Sequence, residues 1–269
     1  MVDHKNGRSR YEENLSIRPS TPFIRRSWRQ MLTKGSVSIN VASDDFYKEF
    51  FDSSVMLTNG YWALIQGGIK SLAKYPYGCS EQITSKAIPY IYFESSDLNI
   101  TDDDKEVYLA KTFDKLLERQ LDNGGIALYP GEGVASDFVN LYIAKFLVRA
   151  NLNGHNVPKI LYSRLLKYVA QMIDESSDIS AATALYIMAL AQKPIGTKTN
   201  IFASSEYKND FVNLYLGAVF KILGDDKKAL GYISKVDQGF KNFSNWDHFY
   251  SRSSMNKVYV EIISNYFPD

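Results

Sequence analysis

The chain is organised around a short stretch that holds its single cysteine: Tyr75-Pro76-Tyr77-Gly78-Cys79-Ser80-Glu81-Gln82. The stretch predicts a tight turn that enters a helix, and the residues from Ile83 to Phe93 continue that helix. A thiol and a carboxamide held this close together can condense with loss of ammonia. The sequence therefore predicts an internal thioester between Cys79 and Gln82, which would be a stored acylating group.

Ordinary roles exist for both residues. A lone cysteine most often serves as a small buried apolar side chain, and a glutamine early in a helix is commonly solvated. Because the chain has one cysteine, an intrachain disulfide is excluded and the Cys79 thiol is available for other chemistry.

Composition excludes several classes of protein. The 269 residues include 31 basic and 30 acidic side chains, so no charge surplus points to nucleic acid or to an acidic tail. The 45% of apolar residues are typical of a globular protein with one large core. No apolar run is long enough to span a membrane, and residues 1–11 lack the apolar core of a signal peptide. Taken alone, the chain is expected to be cytoplasmic.

Residues 1–58 are predicted to form a partial β segment. The patterns at 15–17, 37–41 and 53–58 suggest short strands, and the prolines Pro19 and Pro22 interrupt any longer element. Two or three strands without further partners do not make a stable sheet. This segment is therefore expected to belong to a β domain whose other strands lie elsewhere.

From residue 59 onward the pattern is helical, and two kinds of helix alternate. Residues 136–152, 180–191 and 211–223 are apolar nearly all round, whereas residues 105–119, 158–172 and 225–236 are apolar on one side. A helix that is apolar all round is buried, and a one-sided helix covers it. The predicted fold is mainly α: an α/α toroid, or a solenoid if the ring does not close.

The ring is predicted to be incomplete. Four hairpins precede a last helix at 253–267, which carries a buried type of pattern and has no following partner. The expected domain is therefore a truncated toroid over 59–269 with an exposed apolar face on its last helix.

Gly78-Cys79-Ser80-Glu81-Gln82 resembles the thioester signature of the alpha-2-macroglobulin and complement superfamily, and the longer stretch from Tyr75 resembles its bacterial branch. Residues 122–131, Asp-Asn-Gly-Gly-Ile-Ala-Leu-Tyr-Pro-Gly, resemble the glycine-rich segment of that family. The resemblance implies that 59–269 is a truncated thioester domain, an α/α toroid in this family. It also implies that 1–58 is the edge of macroglobulin-like and CUB domains.

The resemblance implies an endopeptidase inhibitor rather than an enzyme. Cys79 would supply the thioester sulfur and Gln82 the acyl carbon, and an amine of the target protease would attack Gln82 and release Cys79. Partners would be target proteases and the remaining domains of a full-length macroglobulin or a downstream chain, in the bacterial periplasm, with no cofactor. The supporting motif residues would be Tyr75, Pro76, Tyr77, Gly78 and Glu81. Tyr75, Tyr77 and Tyr90 are expected to exclude water.

Some members of the family place a histidine before the next buried helix, where it redirects the acyl group to hydroxyls. Residues 123–138 contain no histidine, and His155 follows the helix. We therefore expect direct attack by amines.

Two other functions remain open from the sequence. The chain could be a truncated or split-gene remnant that folds as a helical interaction module without an active thioester. It could also be a toroid enzyme of the terpenoid cyclase or prenyltransferase type, but the metal ligands for that chemistry are not evident. Three histidines are too scattered for a ligand set, and Asp102, Asp103 and Asp104 are better explained by a helix N-terminus. No metal is expected.

Overall fold

The computed structural model describes residues 2–4, 7–9, 22, 24, 26–28, 30–39, 46–53, 55, 57, 65, 67–69, 72, 78–204, 209–237 and 251–268. The chain divides into two compact units, residues 1–56 and residues 57–269.

The first unit contains a small hairpin. Strands β1 (Val2–His4) and β2 (Gly7–Ser9) pair antiparallel, and a 3₁₀ turn follows at Lys48–Phe50. Residues 37–39 and residues 53, 55 and 57 are not in strands, so the strands predicted there are wrong over those residues. A short alternating segment needs neighbouring strands to form a ladder. The predicted strand at 15–17 lies outside the described residues, and the assignment of 1–58 to neighbouring β domains stays a prediction.

The second unit is helical. Residues 65, 67–69 and 72 are helical, in agreement with the helical pattern predicted from residue 59 onward. The helices that follow are α1 Ser80–Tyr92, α2 Ser95–Leu98, α3 Asp102–Glu118, α4 Asp137–Leu152, α5 Lys159–Glu175, α6 Asp178–Leu190, α7 Gly196–Ala203, α8 Asp210–Ile222, α9 Asp226–Ile233 and α10 Arg252–Tyr266.

The acidic run at the start of α3 caps the helix. Thr101 and Asp104 form a reciprocal capping box: the Asp104 N–H donates to Thr101 Oγ1 (3.1 Å), and the Thr101 N–H donates to Asp104 Oδ2 (3.2 Å). Hydrogen bonds from Thr101 lower the pKa of Asp104. The helix-start explanation of these aspartates is confirmed for Asp104.

The predicted alternation of buried and covering helices is confirmed. Helices α1, α4, α6 and α8 pack side by side in an inner row, and α3, α5 and α9 cover them. Every residue of α6 from Ser180 to Leu190 is buried, as is every residue of α8 from Phe211 to Phe220. Helix α3 buries one side, through Leu109, Thr112, Phe113 and Leu116.

The last helix, α10, packs against three helices of the inner row. It contacts α8, its Glu261 pairs with Lys145 of α4, and its Tyr266 hydroxyl lies 3.4 Å from that of Tyr186 on α6. Met255 and Ile262 of α10 are fully buried. The prediction of an exposed apolar face on this helix is therefore wrong, because the apolar pattern does not indicate which surface it meets.

Candidate thioester site

The cysteine and the glutamine meet at the first turn of α1. Cys79 is the N-cap residue, and its carbonyl accepts the first helical hydrogen bond from Ile83 N–H at 2.9 Å. The Cys79 N–H donates to Oε1 of Gln82 at 3.2 Å, while the Gln82 backbone N–H faces the Cys79 side chain. This is a capping box in which a sulfur stands where serine or threonine would place a hydroxyl. The structure thus brings together the two residues that the sequence pairs.

Burial differs across the site. Cys79 is 6% exposed, whereas Gly78 is exposed and both Glu81 and Gln82 are half-buried. Cys79 is thus shielded from water, while Gln82 remains partly accessible.

A second segment, residues 126–128, supports the turn from behind. The Ser80 N–H donates to Leu128 O (2.9 Å), and the Ser80 hydroxyl donates to Ala127 O (2.6 Å). Ser80 is fully buried, so these bonds replace water that it would otherwise bind. Ser80 follows Cys79 directly, and its contacts therefore fix the position of the N-cap.

Asn140 of α4 holds the same segment from its other side. Its Oδ1 accepts from the Ile126 N–H (2.6 Å), and its Nδ2 donates to Ile126 O (3.0 Å) and to Ser136 O (2.9 Å). Asn140 is fully buried. One side chain thus satisfies both backbone groups of Ile126, which keeps the segment extended beside α1.

The glycine-rich turn before this segment needs its glycine at position 124. Gly124 has φ of +92°, and a Cβ there would lie 2.4 Å from Arg164 O. The Arg164 side chain in turn donates from Nη2 to Leu121 O (2.9 Å) and Asp122 O (3.2 Å). The turn is therefore packed directly on α5.

A chain of side-chain hydrogen bonds leaves the motif toward α4. The Ser85 hydroxyl donates to Glu81 Oε1 (2.6 Å), and the Tyr142 hydroxyl lies 2.9 Å from Ser85 Oγ. Because the Ser85 hydrogen is used on Glu81, Tyr142 is the donor to Ser85. Burial raises the pKa of Tyr142 and keeps it protonated for that bond. The Glu81 carboxylate is thereby held on the face of α1 that meets α4.

Some predicted residues lie elsewhere. Tyr75, Pro76 and Tyr77 lie outside the described residues. Tyr90 stacks on Tyr108 of α3, with ring centroids 4.1 Å apart. Eight residues of helix separate Tyr90 from Gln82, about 12 Å along the axis. The expectation that Tyr90 shields the thioester is therefore wrong.

His155 lies at the opposite end of α1. It lines a cavity of about 360 Å³ with Phe93 and Lys105, and its Nδ1 is 2.8 Å from Glu106 Oε1. The 13-residue helix α1 is about 20 Å long, so this imidazole is remote from Gln82. The described residues hold no cluster of three or more histidine, cysteine or acidic side chains suited to a metal ion. Within the same residues, every helix is too short or too polar to cross a bilayer.

The sequence alone did not single out Ser80, Arg119, Asn140 or Tyr142. One signal could have pointed to Asn140: the hexapeptide Asp-Phe-Val-Asn-Leu-Tyr occurs twice, at 137–142 and 210–215. The two copies begin α4 and α8, which are equivalent inner helices. In the second copy, Asn213 Oδ1 is buried and has no hydrogen-bond partner among the described residues. The repeat thus marks matching positions, and the role of each asparagine depends on what packs against it.

No protein-family model matches the chain. The chain is 24% identical over 280 residues to an alpha-2-macroglobulin of Rickettsia conorii, an alignment covering 97% of the chain and 15% of the relative. It is 30% identical over 182 residues to the alpha-2-macroglobulin of Escherichia coli, covering 58% of the chain and 11% of that protein.

The fold also matches a known structure. A crystal structure of native alpha-2-macroglobulin from Escherichia coli, spanning domain MG7 to the C-terminus, aligns with a TM-score of 0.64 and 24% identity. The alignment covers 75% of this chain and 35% of that one. The chain is thus similar in sequence to bacterial alpha-2-macroglobulins and shares the fold of part of the Escherichia coli protein, and it spans 11–15% of the length of these two relatives.

Proposed function

We propose that the chain is the thioester-bearing part of a bacterial alpha-2-macroglobulin-like endopeptidase inhibitor. The observation that carries the proposal is the capping box that joins Cys79 and Gln82, in which the Cys79 N–H donates to Gln82 Oε1 at 3.2 Å. Homology to bacterial alpha-2-macroglobulins supports the same conclusion. The protein would act as a single-use acylating trap rather than as an enzyme.

Two balanced steps describe the chemistry. In the first, the Cys79 sulfur attacks Cδ of Gln82, the carbon–nitrogen bond breaks, and the nitrogen leaves as ammonia with the thiol proton. In the second, an amine attacks the same carbon, an amide forms, and the carbon–sulfur bond breaks. The amine proton passes to the sulfur, which leaves as the free thiol of Cys79.

The backbone of the turn suits both steps. Each passes through a tetrahedral intermediate with negative charge on Oε1, the atom to which the Cys79 N–H donates. A donor at a helix N-terminus stabilises such charge. The low exposure of Cys79 protects the sulfur side from hydroxide, and the half-buried carboxamide leaves an approach for an amine.

The nucleophile is proposed to be a lysine amine on a protease. The His155 imidazole lies at the far end of α1, about 15 Å along the helix axis from Gln82, which supports direct attack by amines over a histidine relay. Target proteases and the other parts of a longer macroglobulin are the proposed partners, and the periplasm is the proposed compartment. The Cys79–Gln82 bond itself would be the reactive group, without a metal or cofactor.

Intact-mass measurement on freshly purified protein tests the proposal. We expect the mass to be lower than that of the sequence by one ammonia, and treatment with methylamine to replace the thioester with a methylamide at Gln82. The free thiol of Cys79 should appear at the same rate.

The control is Cys79→Ser, which keeps an N-cap acceptor and removes the sulfur. It should have the full sequence mass and take up no methylamine. An unmodified mass with a titratable Cys79 in the parent protein would contradict an active thioester. Labelled glycerol captured as efficiently as methylamine would contradict the preference for amines.

A further inference from the structure

Arg119 connects three segments directly behind the motif. It caps the C-terminus of α3, and its carbonyl accepts from the Ala127 N–H at 3.0 Å. Its Nη1 lies 3.2 Å from Ser80 Oγ and 3.4 Å from Leu128 O, and donates to both. The backbone and the side chain of Arg119 thus both bind residues 127–128, and the side chain also binds Ser80 at the start of α1.

Ser80 and Leu128 are the points at which these bonds converge. Leu128 O accepts from the Ser80 N–H and from Arg119, while Ser80 Oγ accepts from Arg119 and donates to Ala127 O. A donor with a full charge polarises each acceptor and strengthens the bonds in the chain. The first residue of α1 is therefore held against the 127–128 segment by a charge-assisted network.

We propose that Arg119 is a positioning residue for the Cys79–Gln82 pair. Its guanidinium holds Ser80 on the Ala127–Leu128 segment, and this keeps the adjacent Cys79 buried and aligned with the Gln82 carboxamide. That this positioning serves thioester formation rests on the proposed function, whereas the burial of Cys79 by the network does not.

The choice of arginine follows from the geometry. Two acceptors from different segments lie within reach of one nitrogen, Nη1, of a planar guanidinium. A lysine ammonium keeps the charge, but its side chain is shorter and its donors are not fixed in the plane of a guanidinium. We therefore expect lysine to replace arginine in part, and an uncharged side chain to fail.

The test uses the single thiol of the chain. Gln82→Glu keeps an acceptor oxygen for the Cys79 N–H and has no amide nitrogen to lose as ammonia, so Cys79 stays a free thiol in this background. The rate of Cys79 modification by a disulfide reagent then reports opening of the turn. Arg119→Gln removes both charge-assisted hydrogen bonds and should raise this rate about tenfold or more.

Arg164→Gln is the matched control. Arg164 donates to Leu121 O and Asp122 O at the other end of the same loop, so it loses comparable bonds without touching the motif. We expect the rate of Cys79 modification in this variant to stay within about twofold of that in the Gln82→Glu parent, because the turn at Cys79 remains closed. Arg119→Lys should give a rate between those of the parent and Arg119→Gln. If Arg119→Gln does not fold, Arg119→Lys compared with Arg164→Lys makes the same comparison.

Equal rates for the two glutamine variants, or an unchanged rate for Arg119→Gln, would overturn the positioning role. The intact mass of the parent protein that keeps Gln82 is measured alongside the thiol rates. If that parent loses no ammonia, the proposed function fails while the thiol rates still decide the role of Arg119. If it does lose ammonia, Arg119→Gln should form the thioester incompletely, and complete formation would overturn the inference.

Discussion

The proposed reactive pair, Cys79 and Gln82, has the geometry of an ordinary helix cap. In a capping box, the N-cap side chain and the N3 side chain each bind the other residue's backbone. With a thiol at the first position and a carboxamide at the second, the same geometry brings sulfur and acyl carbon to neighbouring places. Serine and glutamate would cap the helix equally well, so the choice of cysteine and glutamine is consistent with the proposed thioester.

Gly124 gives a prediction at the scale of one residue. Gly124→Ala must accept φ of +92° and a Cβ 2.4 Å from Arg164 O, so the backbone of the loop or of α5 has to shift. We expect the free energy of unfolding to fall by about 3 kcal/mol or more. Chemical denaturation measures the change.

Gly131→Ala is the control for Gly124→Ala. Gly131 has φ of +80°, but nothing lies within 4 Å of the place that an added methyl group would take. The substitution there therefore adds backbone strain but no steric clash. The expected loss is about 1 kcal/mol. Equal losses at the two positions would mean that the contact with Arg164 has no energetic weight.

Helices α4 and α8 show how one sequence serves two environments. Both begin with Asp-Phe-Val-Asn-Leu-Tyr and both belong to the inner row. Asn140 of α4 binds the backbone of Ile126, whereas Asn213 Oδ1 of α8 is buried without a partner among the described residues. A hydrogen-bonded buried amide stabilises the fold, and an unpaired one costs free energy.

The repeat gives a matched pair of variants at the scale of the element. Asn140→Leu leaves the Ile126 N–H and carbonyl without their partner, and should cost about 2–4 kcal/mol of unfolding free energy. Asn213→Leu removes an unpaired acceptor with little change in shape, so its effect should lie within about 1 kcal/mol of zero. Thermal and denaturant unfolding of both variants check the difference. A loss at Asn213 as large as that at Asn140 would contradict this account.

Across the helical unit, α10 ties together helices that are distant in sequence. Glu261 lies 2.5 Å from Lys145 Nζ and 3.6 Å from Arg149 Nη2, and both cations belong to α4. Burial lowers the pKa of Lys145, and the Glu261 carboxylate acts in the opposite direction. The ion pair therefore keeps a poorly hydrated ammonium charged where α10 meets the inner row.

Glu261→Gln tests this link at the scale of the molecule. It leaves Lys145 without its counter-charge, so the unfolding free energy at pH 7 should fall by about 2 kcal/mol or more. The deficit should shrink toward pH 10, because a neutral Lys145 no longer needs the carboxylate. Denaturation curves at the two pH values measure both effects.

Asp174→Asn is the control for Glu261→Gln. Asp174 pairs with Lys198 at the surface, where both side chains are largely solvated. Its loss should change the unfolding free energy by less than about 1 kcal/mol at either pH. A similar loss in both variants would show that the contact of Glu261 with the inner row stabilises the fold no more than a surface ion pair does.

The sequence alone determined the features that depend on local spacing. Cys79 and Gln82 are three residues apart, so a helix start is enough to bring them together. The alternation of buried and covering helices follows from the apolar pattern of each helix, which each segment carries by itself. The tertiary structure decided the contacts between distant segments: Arg119 and Asn140 behind the motif, and α10 against α4, α6 and α8. The sequence pattern of a helix indicates which of its faces is buried. Which segment packs against that face depends on the packing of the whole chain, because many helix faces have similar apolar patterns.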